Sequence, residues 1–278
     1  MKPVQPAFHG SKHYANILRD RLKRIFLDMG FIQVSSPMLE ISFWNFDALF
    51  VPQGHPIRDT SDTFFVKEPA KGLLPDAKLV DRVKKTHESG WTTGSTGFGY
   101  NWGAEAARTN LLRTDLTSII ARELSNIKIK ELPLKIFSID YVFRNTINNR
   151  LIQSQSVTGL MADEKINFKH LLGLLNNLFN KLGFSETRFR PSYFPYTELS
   201  VKPEFFNKSS KEWVSLGGAG ILRPEVVKPL TGSEVPVLAW GLDFERILAD
   251  IYNIKDLSEA YSTDINFVSS FNPFSKRL

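Results

Sequence analysis

The sequence predicts an α+β fold built on an antiparallel sheet. Three observations carry that expectation. Two apolar runs, 134–143 and 151–161, bracket the polar, Asn-rich stretch 144–150, which is the pattern of a long hairpin. Helical patterns fall at irregular intervals rather than after every strand, which argues against repeated βαβ units. No repeat, low-complexity tract or clear linker interrupts the 278 residues, so one domain is expected.

The elements follow from periodicity. Residues 1–12 carry Pro3, Pro6 and Gly10 and read as an arm. Over 14–29, Tyr14, Ile17, Leu18, Leu22, Ile25, Phe26 and Met29 recur at helical spacing, with Arg and Lys on the other face and Gly30 as a stop. A short strand is expected over 31–34. The aromatic-dense stretch 42–66 reads as an irregular connection feeding a buried strand over 63–66. Residues 67–104, rich in Gly, Ser, Thr and Lys, read as a surface excursion. A helix is expected over 109–124 and another over 168–182, closed by Gly183. Phe189, Tyr193 and Tyr196 mark an aromatic strand region. A strand over 213–216 leads into a turn at 217–220, and a strand over 237–240 runs into a helix over 244–252.

Composition bounds the function. A net charge of +6 favours an anionic partner, though many soluble proteins are mildly basic. With no cysteine, a disulfide framework and a Cys-based zinc site are excluded. The five histidines show no metal-ligand spacing; His9 and His13 lie four apart with no acidic partner. No apolar run reaches the roughly 18 residues a membrane span needs. The N-terminal residues lack the apolar stretch of a signal peptide, so a soluble cytoplasmic protein is expected.

Seven blocks then point to a family. They are FWNFDALFVPQGHPIRDTSDTFFV (43–66), GWTTGSTGFGYNW (90–102), LLRTDLTS (111–118), VFRN (142–145), RPSYFPYTELSV (190–201), GAGILRPEVVKPL (218–230) and AWGLDFERIL (239–248). In this order and at this spacing the chain resembles the α subunits of archaeal and eukaryotic phenylalanyl-tRNA synthetases. The resemblance covers residues 13–268, leaving 1–12 as the arm and 269–278 as a tail. It includes none of the family's N-terminal nucleic-acid-binding extension and no β-subunit-like sequence. It implies the class II aminoacyl-tRNA synthetase catalytic domain, a six-stranded antiparallel sheet flanked by helices. Motif 1 would be the helix 13–29 with its strand up to Pro37, motif 2 the hairpin 134–163, and motif 3 the strand and helix 237–252.

The resemblance also implies roles, with ATP and Mg²⁺ as the expected small partners. Arg144 would grip the α-phosphate and the carboxylate, and Arg246 the γ-phosphate and the adenine; a planar guanidinium suits both tasks. Glu225 would be a Mg²⁺ ligand, or else the partner of Arg223 or Lys228. Phe194, Pro195 and Tyr196 match the aromatic wall that receives phenylalanine, beside Gly218 and Thr117.

Several expected groups are replaced. Thr146 stands for the glutamate that contacts the adenine amino group, and Ser154 for the phenylalanine that stacks on adenine. Arg150 stands for a phosphate-contacting histidine. Ser156 and Thr158 stand for the Gln and Glu that hold the substrate ammonium, while Asp115 replaces a histidine and offers a carboxylate from another side. Asp243 stands where the family has a small residue. Three readings follow. The chain is a diverged paralog with altered adenine and ammonium contacts, binding a nucleotide, another acid or tRNA. Alternatively it is an active phenylalanine–tRNA ligase α chain working with a β subunit, or a non-enzymatic dimeric interaction protein. A homodimer through motif 1 is expected, because Phe43, Trp44, Phe46 and Phe50 need burial.

Overall fold

The structure is a computed structural model that describes residues 12–127, 129–145 and 153–270. In chain order the first half forms α1 (Tyr14–Asp28), β1 (Ile32–Gln33), β2 (Leu39–Ile41), α2 (Ser42–Asn45), α3 (Ala77–Ser89), α4 (Ala104–Ala107), β3 (Asn110–Leu112), α5 (Thr117–Asn126) and β4 (Leu134–Phe143). The second half adds β5 (Gln153–Ala162), α6 (Phe168–Leu182), β6 (Thr187–Phe194), β7 (Thr197–Asn207), β8 (Glu212–Ser215), β9 (Gly217–Leu222), α7 (Pro224–Thr231), β10 (Val237–Asp243), α8 (Phe244–Tyr252) and α9 (Ile265–Ser270).

Among the described residues one eight-stranded sheet runs β1-β4-β5-β10-β9-β7-β6, with β8 paired to β7. Its six long strands are antiparallel, as expected; the short β1 is added parallel to β4. One face carries Phe137, Ile139, Val157, Trp240 and Leu242 against α1, α6 and α8. The other carries Ile136, Leu160, Val237 and Ala239 against α5 and α7 and the aromatic segment after β2. Trp240 lies flat on β5 because Gly159 opposite has no side chain; a Cβ there would come within 2.2 Å of the indole.

The observed α1, β4, α6 and α8 match the periodicity closely. Four expectations are corrected. No strand forms over 63–66; Phe65 makes only an isolated bridge to Leu111. The stretch 67–104 is not a surface excursion, since α3 buries Leu79, Val83, Thr86 and His87 and is capped by Asp76, whose carboxylate accepts from the Lys78 and Leu79 amides. The helix expected over 109–124 is shorter: residues 110–112 pair with β2 as a strand, and α5 starts at Thr117. The turn expected at 217–220 is the strand β9, hydrogen-bonded on both sides.

Phe43, Trp44, Phe46 and Phe50 are buried within the chain itself, so they supply no surface for a partner. The exposed apolar side chains near motif 1 are Leu27, Ile32, Met38 and Leu39.

Candidate functional site

The site grows out of a change in side-chain chemistry along three neighbouring strands. Alternate residues of a strand share a face. On the α5–α7 face, the row Ile136, Leu160, Ala239 and Gly220 lies under the core. The next row is Ser138, Thr158, Gly241 and Gly218, and the one after it is Asp140, Ser156 and Asp243. Apolar cover thus gives way to hydroxyls, bare backbone and carboxylates within two steps.

Charged groups converge at that end. Arg144 follows β4; its Nη2 lies 3.7 Å from Asp115 Oδ2, and its Nε donates to the Thr114 carbonyl at 3.3 Å. Asp115 is oriented from its other oxygen, which accepts the Thr117 amide at 3.1 Å at the start of α5. Arg246, on the first turn of α8, sits 3.1 Å from Asp243 and donates to the Ser215 carbonyl at 3.1 Å. Two arginine–aspartate pairs therefore stand at the end of the β4–β5–β10 floor, each cation already beside an anion.

The environment of Asp243 acts on its titration. Crowding by the surrounding protein pushes its carboxyl above the usual range, and Asp115 adds to this, while Arg246 and Arg144 pull it down. Its side chain is still 53% exposed, so water screens these charges. Asp140, two strands over on β4, is bound at 2.8 Å by Arg113, which is wholly buried and also donates to the carbonyls of Tyr141 and Ser36 at 2.7 Å. Neither Asp140 nor Arg113 was assigned from sequence. Arg113 lies inside the LLRTDLTS block, and the alternation Ile136, Ser138, Asp140 was the available signal.

The aromatic wall stands over the same floor. Phe194 and Tyr196 stack with centroids 6.3 Å apart at 22°. A Cβ placed on Gly218 would fall 2.3 Å from Phe194 Cζ, so the ring lies directly on that glycine. The Tyr196 hydroxyl is pushed upward by burial and by Asp115, against Arg144. Ser156 and Thr158 share a hydrogen bond of 3.2 Å. Ser154 pairs with Val142 near the strand end. Thr146 and Arg150 lie outside the described residues.

Glu225 does not stand free for a metal. Both its oxygens are taken by Arg223, at 2.6 and 3.3 Å, which is the ion-pair alternative raised from sequence. Among the described residues no group of three or more His, Asp or Glu side chains gathers to hold a metal ion. The described residues do not fit a Mg²⁺ held by the protein itself. Two other concavities open away from the floor. One lies at the β6–β7 turn around Tyr193, Leu199 and Arg223, and one between β8 and α8 with Arg246 on its rim. Among the described residues no helix is long and apolar enough to cross a membrane.

Residues 2–271 match the family model of the tRNA synthetases class II core domain (F). The chain belongs to that family. Arg144 after β4 and Arg246 on α8 thus bring the β4–β5 hairpin and the β10–α8 unit together at Asp243. It is similar to the phenylalanine–tRNA ligase α subunit of Methanopyrus kandleri, 44% identical over 266 residues, covering 95% of this chain and 50% of that one. Against the Homo sapiens α subunit it is 43% identical over 277 residues, covering 95% and 54%. The chain spans about half the length of these curated relatives. The crystal structure of pyrrolysyl-tRNA synthetase from Desulfitobacterium hafniense superposes with a TM-score of 0.62 at 14% identity, over 91% of this chain and 74% of that one, and shares the fold.

Proposed function

We propose that this class II core domain is a diverged relative of phenylalanine–tRNA ligase α subunits whose cleft binds ATP and an amino acid through altered adenine and ammonium contacts. The observation that carries the reading is the gathering of the ion pairs Arg144–Asp115 and Arg246–Asp243 at the end of the β4–β5–β10 floor. A zwitterion and a polyphosphate together need such a set. The guanidiniums take phosphate and carboxylate oxygens by paired hydrogen bonds. The aspartates supply the negative charge that Ser156 and Thr158 do not. Adenine has no aromatic platform at Ser154, which removes stacking worth about 1–3 kcal/mol in comparable sites.

The chemistry this arrangement supports is attack of a carboxylate oxygen on the α-phosphorus of ATP. The new P–O bond forms as the bond to pyrophosphate breaks, and the electron pair leaves with pyrophosphate. Arg144 and Arg246 stabilise the charge on the transferred group. No step runs through a protein-held metal.

Amino-acid-dependent exchange of pyrophosphate into ATP tests the reading. Exchange driven by an acid other than phenylalanine is expected. Efficient exchange with phenylalanine favours a second reading, an active ligase α chain paired with a β subunit and acting on tRNA. Identity of 43–44% over about 95% of the chain supports that second reading. A homodimer through the edge bearing Leu27, Ile32, Met38 and Leu39 belongs to either proposal.

A further inference from the structure

Three consecutive residues grip the end of β4. The Arg113 carbonyl accepts the Phe143 amide at 2.9 Å, the Thr114 carbonyl accepts Arg144 Nε at 3.3 Å, and Asp115 Oδ2 stands 3.7 Å from Arg144 Nη2. The Arg144 side chain is 59% exposed, so its aim depends on those contacts. The gripping segment is itself anchored. Thr114 is tied twice to Asn45, its amide donating at 3.1 Å and its hydroxyl accepting at 2.9 Å, and both residues are buried. The Arg113 amide donates to the Met38 carbonyl at 3.0 Å.

The Arg113 side chain reaches further. It is wholly buried, where a guanidinium is costly unless it is paired and its donors are met. Nε donates to the Tyr141 carbonyl at 2.7 Å. Nη1 donates to the Ser36 carbonyl at 2.7 Å and makes longer contacts with Ser36 Oγ at 3.3 Å and the Pro37 carbonyl at 3.4 Å. Nη2 lies 2.8 Å from Asp140 Oδ2 without making a hydrogen bond, so that contact is charge against charge. The other Asp140 oxygen accepts the Tyr141 amide at 2.8 Å. One planar fork thus joins the β1–β2 connection to the last residues of β4, a span that the point charge of a lysine does not reproduce. An apolar side chain of similar size would fill the space without the desolvation cost, but would hold none of these groups. We propose that Arg113 is a positioning residue for Arg144: it fixes the end of β4 against residues 113–115, so that the Arg144 guanidinium faces the ligand, and it does so without touching the ligand itself. This rests on reading Arg144 as a group that binds phosphate and carboxylate.

The test is calorimetric titration of ATP into the wild-type chain, Arg113→Lys, Asp140→Asn, Arg144→Lys and the double variants Arg113→Lys/Arg144→Lys and Arg113→Lys/Arg246→Lys, with thermal melts to establish which are folded. Arg113→Lys should weaken ATP by about tenfold, about 1.4 kcal/mol. With Arg144→Lys already in place it should cost little further, whereas beside Arg246→Lys its full loss should persist, because residues that act through one another are non-additive and independent ones add. Equal further losses in the two doubles mean a general loosening of the fold and overturn the proposal. Asp140→Asn is a separate arm that serves even if Arg113→Lys does not fold. Charge alone makes the loss of a carboxylate from the floor tighten a polyphosphate, whereas a loosened Arg113 weakens it. A several-fold loss of affinity is expected, and unchanged or tighter binding overturns the proposal. Binding that falls in Arg144→Lys but not in Arg113→Lys overturns this inference alone. No ATP binding by the wild type, or none lost in Arg144→Lys, removes the reading beneath it and the inference with it.

Discussion

On the proposed reading, Asp243 sits beside Arg246, the arginine assigned to phosphate. Its carboxylate takes up Arg246 at 3.1 Å and sets a negative charge beside Asp115. Asp243→Asn should therefore tighten ATP binding at neutral pH, and the difference should shrink in acid, where the wild-type carboxyl is itself protonated. The same shift has a stability consequence. A carboxyl whose folded-state pKa is raised binds its proton more tightly folded than unfolded, so ionising it destabilises the fold. The penalty is absent below the unfolded value of about 3.9 and complete once pH passes the raised folded value. Asp243→Asn should thus melt higher than the wild type at neutral pH and about equally at low pH, a comparison of thermal midpoints across pH. Gly218 gives the complementary case. Gly218→Ala drives a methyl into the Phe194 ring, an overpacking that should cost about 1–3 kcal/mol in a denaturant titration.

At the scale of elements, a half-buried polar chain joins α1, β5 and α8. Arg19 donates to the Gln155 side chain, which donates to the Tyr261 hydroxyl at 2.9 Å, which in turn donates to Glu245. Glu245 also accepts the Gln155 amide at 2.6 Å, and burial still leaves its carboxyl raised. Gln155→Leu strips partners from Arg19 and Tyr261 together and should destabilise by about 1–3 kcal/mol. The segment after β2 has its own hub, the fully buried Asp47. It accepts Trp102 Nε1 at 2.7 Å and Gln53 at 3.0 Å and pairs with Arg58 at 3.1 Å. Asp47→Ala leaves the Arg58 guanidinium buried without its anion, at a cost of about 3–5 kcal/mol by thermal or urea unfolding. The elements read correctly from sequence are those whose own pattern decides them: α1 and α6 by an apolar stripe, β4 by its length and pairing. Those misread are decided by neighbours. β9 is a run of glycines that looks like a turn, and it is a strand because β10 and β7 flank it and Phe194 needs bare backbone beneath it. In α3 charged residues outnumber the stripe of Leu79 and Val83, and tertiary packing on α7 supplies the rest.

On the scale of the whole molecule, the sheet is a two-sided layer whose second face is covered at one end and open at the other. The boundary falls between the row of Ser138 and Thr158, both buried, and the row of Asp140, Ser156 and Asp243, which reach solvent. The matched blocks identify which residues lie at that open end. They do not say that Asp243 and Asp115 each stand beside an arginine, that Glu225 is occupied by Arg223, or that Phe194 rests on Gly218. Those facts are set by rotamers and by strand register, which a motif does not encode. The most direct test of the cleft as a nucleotide site is calorimetric titration of ATP into the wild-type chain and Arg246→Ala. Micromolar binding by the wild type that is lost in Arg246→Ala is the expected result. Absence of ATP binding to the wild type at millimolar concentration, or equal binding by Arg246→Ala, would contradict it.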